Sequence, residues 1–340
     1  MEISGKNLSN EDPCIIIAEV GSNHDGDLDK ARALIKAAAQ SGADVVKFQS
    51  LSADGLISKK RLVNGAWENN PVYDAVKKLE LPKKWYPELI ACCQNEGVIF
   101  LSTPFDEEMV FLLDSLRVAA FKIASGDLTN IPLMKIMAKL KKPLIISTGA
   151  ATMDEVGTAV KICETEGNQK LVLLHCVSSY PSKLEDANIR AVNTLQRFGY
   201  PVGYSDHTSG WTVPLGAVAL GAKVIEKHIT FDRSLIGPDH GYALTVEEFS
   251  IMVREIRSLE AALGNGEKKP VEAEISERVG ARRSIYANVP ISEDTVIEKS
   301  MLKVVRHAYG IPPYELDKLI GCRTKRMVNA DEALQWEDIV

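Results

Sequence analysis

Two histidines, His207 and His228, each stand at the carboxyl end of a short apolar run, 21 positions apart. On neighbouring parallel strands such imidazoles can converge on one divalent ion. Nitrogen ligation with open positions leans towards Mn²⁺, Co²⁺, Fe²⁺ or Zn²⁺ rather than Mg²⁺. The other reading is one ordinary hydrogen-bonding histidine at each strand end. Asp206 and Glu226 beside them either orient the rings or face the core next to Lys227. Lys47 and Lys122 occupy similar run ends, and a buried ammonium requires an anionic partner. That partner is a bound phosphate or carboxylate, or a structural carboxylate such as Glu19; a Schiff-base lysine is a third reading. Ser147-Thr148-Gly149 precedes a helix start, where hydroxyls and free N–H groups suit an anion. Glu19 is either a general base on a water or a lysine's salt-bridge partner. Tyr180 and Asp239 fall on loops, where they either grip a polyol or decorate the surface.

The elements that must position these groups are eight apolar runs, at 15–19, 45–49, 98–102, 121–125, 144–148, 171–175, 202–207 and 224–228. They end in Glu19, Gln49, Ser102, Ser125, Thr148, His175, His207 and His228. Continuous Val, Ile and Leu without alternation marks parallel strands buried on both faces. Between them run helical patterns, such as Leu28, Ala31, Leu34, Ile35 and Ala38 after the N-cap candidate Asp27. Strand and helix alternate, which predicts an α/β fold; eight repeated units favour a (β/α)8 barrel, with its chemistry at the carboxyl ends of its strands, over an open doubly wound sheet. Residues 51–82 interrupt the rhythm with Lys59-Lys60-Arg61, Trp67 and Tyr73, and read as a lid over the barrel mouth. The barrel is assigned to 1–265, a charged linker to 266–280, and a small C-terminal unit to 281–340. A unit of that size leans on a barrel, its own or a partner's.

Net charge is −6, which argues against a nucleic-acid partner. An anionic substrate must then be drawn in by a few lysines inside the pocket. No run of eighteen apolar residues predicts a membrane span, and the first residues lack the apolar core of a signal peptide. The six cysteines follow no pairing rhythm, so a cytoplasmic protein with reduced thiols is expected.

Several motifs together narrow the chemistry. They are 17–26, Val45-Val46-Lys47-Phe48-Gln49, Leu101-Ser102-Thr103-Pro104-Phe105, Phe121-Lys122-Ile123-Ala124-Ser125-Gly126, Leu174-His175-Cys176 with Tyr180-Pro181, Tyr204-Ser205-Asp206-His207, and 224–228 with Gly237-Pro238-Asp239-His240. In this order they resemble the sialic acid synthase family over nearly the whole chain. Ala281-Arg282-Arg283-Ser284 and 315–321 are similar to the antifreeze-like (SAF) domain of that family.

The resemblance implies metal-dependent condensation of phosphoenolpyruvate with an N-acetylmannosamine-type sugar, giving a nine-carbon 2-keto acid and phosphate. It places the ion, Mn²⁺ with Mg²⁺ or Co²⁺ as alternatives, on His207 and His228. Phosphoenolpyruvate falls to Lys47, Lys122, Ser125, Ser147 and Ser178; the sugar falls to Gln49, Asp127, Tyr180 and Asp239; Glu19 lies near the reacting centre. A domain-swapped homodimer with Arg306 entering the neighbour's barrel mouth is also implied. Three positions depart from the family pattern. Asp127 stands where several members carry glutamate, Ser178 where some carry asparagine, and Arg306 lacks its usual Arg-Pro-Gly context. The His175-Cys176 and 237–240 patterns favour a sialic or legionaminic product over a pseudaminic one. The alternatives are a pseudaminate-type reaction on another diacetamido hexose and a Schiff-base barrel aldolase.

Overall fold

All eight apolar runs form strands: β1 (Ile15–Gly21), β2 (Val45–Ser50), β3 (Ile99–Pro104), β4 (Phe121–Ile123), β5 (Leu144–Ser147), β6 (Leu171–Cys176), β7 (Val202–Asp206) and β8 (Val224–Thr230). The computed structural model describes residues 1–9 and 11–340, which divide into two compact units, Met1–Gly264 and Asn265–Val340. In the first unit the strands pair in parallel in the order β3-β2-β1-β8-β7-β6-β5-β4. The two ends of that order, β3 and β4, pack side by side and complete the barrel ring. The expected (β/α)8 barrel is therefore present.

Burial on both faces hides a strict alternation. Ile15, Ile17, Val45, Leu101, Ala120, Ile145, Val172, Leu174 and Val224 fill the barrel interior. The intervening residues, among them Ile16, Val46, Leu171, Leu173 and Ile225, pack outward against the helices. Successive strand residues point to opposite faces, so this parity decides which polar residue at each strand end reaches the mouth. An unforeseen element closes the other end. The hairpin Glu2–Ile3 with Lys6–Asn7 brings Ile3 and Leu8, both buried, onto the interior cluster as a floor.

Local chemistry sets the helix ends. Asp27 caps α1 (Leu28–Gln40) by accepting from the Asp29 and Lys30 N–H groups. Thr152 with Glu155, and Thr245 with Glu248, form reciprocal capping boxes that start α2 (Met153–Thr165) and α3 (Val246–Leu263). Gly264, with φ +61°, ends α3. No helix among the described residues is long and apolar enough to cross a membrane, and all six cysteines are free thiols.

The insertion holds a short helix Ala53–Leu56, an antiparallel hairpin Lys60–Val63 with Ala66–Asn69, and a helix Pro71–Lys78. Leu62 and Trp67 face each other across that hairpin and are exposed. Among the described residues none of 51–82 lines the cavity of the barrel mouth, so the structure gives the lid reading no contact to rest on.

The second unit pairs β9 (Arg283–Ala287) with β10 (Leu302–Arg306) in antiparallel fashion. Its own core is Ile285, Ala287, Ile291, Ile297, Ile311, Leu319, Val328, Leu334 and Ile339. The charged stretch assigned to a linker carries a 3-10 turn, Glu272–Glu274, and a helix, Ile275–Gly280.

Candidate active site

At the carboxyl end of the barrel a cavity of about 580 Å³ is walled by eleven of the thirteen residues singled out from sequence: Glu19, Lys47, Gln49, Lys122, Ser125, Ser147, Ser178, Tyr180, His207, His228 and Asp239. Strand register brings their charges together. Glu19 lies opposite His228 on β8 and opposite Lys47 on β2. Glu19 Oε1 accepts a 2.9 Å hydrogen bond from Gln49, and Glu19 Oε2 lies 3.0 Å from Lys47 Nζ. The same ammonium lies 3.5 Å from Glu226 Oε1 and donates to Thr103 Oγ1 at 3.3 Å. Glu226 Oε2 lies 4.0 Å from Lys122 Nζ, and Ser205 Oγ donates to Glu226 Oε1 at 3.0 Å. Two lysines and two glutamates thus form one buried quartet.

The quartet polarises its members differently. Burial, reinforced by the Glu226 charge, raises Glu19 well above the ordinary carboxylate range although Lys47 opposes it. Burial also works against ionised Glu226, yet Lys122 and Lys47 outweigh it and hold that group low. Lys47 is raised because its two glutamates overcome its burial. Lys122 is lowered, first by burial and further by Lys47.

Beside Lys122 lies a hydroxyl-rich corner. Its ammonium donates to Ser147 Oγ and to the Ile123 carbonyl at 3.0 Å. Ser125 Oγ accepts from the Gly149 N–H at 3.0 Å and meets Cys176 Sγ at 2.9 Å. A Cβ at position 149 would stand 2.3 Å from Ser178 Oγ and 2.6 Å from Cys176 Sγ, so only glycine leaves these groups convergent. Serine hydroxyls around a buried ammonium are suited to an oxyanion.

Across the cavity the rings of His207 and His228 are 5.6 Å apart. His207 Nδ1 lies 3.0 Å from the Val177 carbonyl. A carbonyl only accepts, so Nδ1 carries the proton and Nε2 keeps its lone pair. Burial, then the neighbouring His228, lowers His207 to about 4; burial lowers His228 as well. His228 Nδ1 is buried without a hydrogen-bond partner and lies 3.9 Å from Asp239 Oδ2. Two neutral imidazoles, one with an orphaned nitrogen, fit a divalent ion whose other ligands are water and substrate. Among the described residues no group of three His, Cys, Asp or Glu forms a ready-made metal cluster. Asp239 accepts from Tyr242 OH at 2.7 Å and Ser22 Oγ at 2.9 Å. The Tyr180 ring sits 4.4 Å from that of His207.

Two of the thirteen stand elsewhere. Asp127 is absent from the cavity wall and accepts from the Asn130 side chain at 3.2 Å. Arg306 belongs to the second unit, exposed at the end of β10. The readings left open beside the histidines are resolved: Asp206 faces outward and ion-pairs with Lys227 at 2.5 Å, while Glu226 faces inward to the lysines. Among the described contacts, neither carboxylate hydrogen-bonds a histidine ring. His175 also faces outward, with Nε2 3.2 Å from the Ala187 carbonyl and its ring edge-on to Tyr204. Run ends therefore mislead at β3, β5 and β6, where Thr103, Ser147 and Cys176 reach the cavity instead of Ser102, Thr148 and His175. Counting by two from Leu101, Leu174 and Val224 finds Thr103, Cys176 and Glu226.

The model of the NeuB family matches residues 34–268, and that of the SAF domain matches 282–340. The N,N'-diacetyllegionaminic acid synthase of Legionella pneumophila is 43% identical over 96% of this chain and 94% of its own length. The pseudaminic acid synthase of Campylobacter jejuni (strain 81-176) is 35% identical over 98% of both chains. A crystal structure of N-acetylneuraminic acid synthetase from Leptospira borgpetersenii, in complex with citrate, superposes with a TM-score of 0.75. It is 36% identical and covers 82% of this chain and 94% of that one.

Removing one member of the quartet should be worse than removing a pair. Lys47→Met leaves Glu19 and Glu226 facing each other, and urea unfolding should show a loss of about 3–5 kcal/mol. Adding Glu19→Gln should recover at least about 1 kcal/mol of that loss. Strictly additive losses would show that the quartet is not coupled.

Proposed function

The chain belongs to the NeuB family and is an enzyme of the phosphoenolpyruvate-dependent sialic acid synthase type, and on that premise we propose a specific reaction for it. It condenses phosphoenolpyruvate with an N-acetylmannosamine-type amino sugar, giving phosphate and a nine-carbon 2-keto acid of the sialic or legionaminic class. One observation carries this reading. A corner built for an oxyanion, with Lys122, Ser125, Ser147 and Ser178, faces two neutral imidazoles across a single cavity that also holds a buried carboxylate.

In this scheme Lys122, Lys47 and the three serines neutralise the phosphate and carboxylate of phosphoenolpyruvate. Gln49, Tyr180 and Asp239 orient the sugar, whose aldehyde faces the two histidines. His207 and His228 would hold a divalent ion, Mn²⁺ before Mg²⁺ or Co²⁺, which would supply Lewis-acid polarisation of that aldehyde. The methylene carbon of phosphoenolpyruvate bonds to the aldehyde carbon, leaving positive charge on the former enol carbon, as the C=O π bond opens to an alkoxide, which takes up the proton that Glu19 removes from water. Glu19 takes a proton from a water that adds there. The tetrahedral adduct then breaks its C–O bond to phosphate and becomes the keto acid. The lowered Lys122 would also suit a Schiff-base aldolase. Its ammonium, however, is already engaged by Ser147, the Ile123 carbonyl and Glu226, which favours an ionic role.

The SAF unit enters as a further part of the proposal: Arg306 reaches the barrel mouth of a second subunit in a domain-swapped homodimer and donates to the sugar. Mixing Arg306→Ala with His207→Ala subunits, each inactive alone, should restore activity, because one site of every mixed dimer is then whole. Verified subunit exchange without recovery rules the arrangement out.

The direct assay is phosphate release from phosphoenolpyruvate with a panel of mannosamine and 2,4-diacetamido sugars. Release with at least one such sugar is expected, abolished by a chelator and restored by Mn²⁺. Full turnover in metal-free protein would remove the ion from the scheme.

Glu19 makes a separate prediction about pH. It acts ionised, so the rate rises as pH climbs through its pKa. That acid limb should lie above the ordinary glutamate value of about 4.3, because burial raises the group. Glu19→Gln should lower kcat by about 10²–10⁴-fold and abolish the limb. A limb that persists in the variant assigns the base elsewhere.

A further inference from the structure

The segment that delivers Asp239 to the cavity is held by a residue outside it. His240 is fully buried and does not line the cavity. Its Nδ1 lies 2.7 Å from Thr230 Oγ1, at the end of β8, and its Nε2 lies 3.0 Å from Asp25 Oδ1, in the loop after β1. The first contact joins the two ends of the loop 231–239 at its base. The second joins that base to the loop containing Ser22, which donates to Asp239 through both Oγ and N–H.

The surroundings are adapted to this ring. A Cβ at Gly237 would stand 2.7 Å from His240 Cδ2, so glycine there leaves the imidazole its place. Asp25 adopts φ +51°, a left-handed conformation uncommon outside glycine, and its other oxygen is taken by Lys30 of α1. Burial works against ionised Asp25, but the Lys30 and His240 contacts outweigh it, and a carboxylate only accepts, so His240 Nε2 carries a proton. Asn23, also buried, adds a 2.9 Å bond from its amide to the Ile229 carbonyl. Farther along the loop Arg233 donates to both carboxylate oxygens of Glu248 on α3 at 2.9 Å, and the tip at Ile236 is 98% exposed.

We propose that His240 is a positioning residue: the Thr230–His240–Asp25 clasp locks the β8 loop to the β1 loop and thereby sets the Asp239 carboxylate for the amino sugar. This rests on the reaction proposed above, and its signature differs from that of a group touching phosphoenolpyruvate. The sugar end loses its alignment when the clasp opens, whereas the oxyanion corner, built on β4, β5 and β6, keeps its own bonds.

His240→Ala should raise the KM for the amino sugar about tenfold or more, while the KM for phosphoenolpyruvate stays within about twofold. His240→Gln, whose amide can still donate to Asp25, should recover most of the sugar KM. Adding Asp25→Asn to His240→Ala should change little, since one clasp cannot be opened twice. Equal rises in both KM values with no rescue by glutamine would reduce His240 to general stability, and unchanged KM values would reject its role outright. If the wild-type protein releases no phosphate with any amino sugar, the reaction fails while the clasp stays testable by amide hydrogen exchange. His240→Ala should then speed exchange at 22–26 and 231–242 alone; exchange unchanged in those segments overturns the clasp.

Discussion

Two ammonium groups and two carboxylates buried in one barrel mouth are the constraint around which the rest is arranged. None of Glu19, Lys47, Lys122 and Glu226 is more than 5% exposed. An isolated ion so placed costs several kcal/mol, and only close opposite charges with good geometry offset that cost. Geometry of this kind needs strands that do not slip. The runs of Ile, Val and Leu below the quartet, sealed by Ile3 and Leu8 at the floor, hold the register in which Glu19 meets both Lys47 and His228. The core is thus rigid on behalf of four charged side chains.

In the proposed reaction the quartet also accounts for how an acidic protein would attract an anion. Fully ionised, it is neutral; with a proton on the raised Glu19 it carries one positive charge. An incoming phosphate and carboxylate find that charge in a low-dielectric pocket, where it counts for more than the global −6. Bound anions raise Glu19 further, since like charges disfavour its ionised form. Binding and base strength are therefore coupled through the same four residues.

Much of this was legible in the sequence because parallel strands of a barrel announce themselves as unbroken apolar runs, and a barrel has one functional end. The barrel, the helix cap at Asp27 and eleven wall residues follow from that logic and the motif resemblance. What escaped was facing. A run buried on both sides carries no alternation to read, so His175 was placed beside Cys176 without a sign of which one turns inward. Beside His228, Glu226 reads equally as a ring partner or a core carboxylate, yet its parity, two positions from Val224 and from His228, sends it to the lysines. The floor hairpin leaves no trace in the sequence because short segments with two buried apolar residues have no period at all. Asp127 illustrates the remaining difficulty: a carboxylate near a strand end can be claimed by a local partner, here Asn130 at the following helix N-terminus.

The two ends of the site meet at Gly21, and that meeting makes them one site. The β1 ladder shifts register between Glu19 and Gly21, and such a bulge re-aims the chain at a barrel rim. Gly21 adopts φ +54°, and a Cβ there would stand 2.7 Å from Asp239 Oδ2 and 3.4 Å from both Glu19 Oε1 and Gln49 Nε2. The missing side chain leaves room where the proposed base, the two proposed sugar contacts and the β8 loop converge. Any larger residue would press Asp239 away from Ser22 while straining the bulge that aims Glu19. The His240 clasp acts on the same convergence from the outside, holding the β8 loop against the segment that the bulge redirects. In the proposed reaction, sugar placement and water activation are therefore linked through one backbone position and not through separate devices.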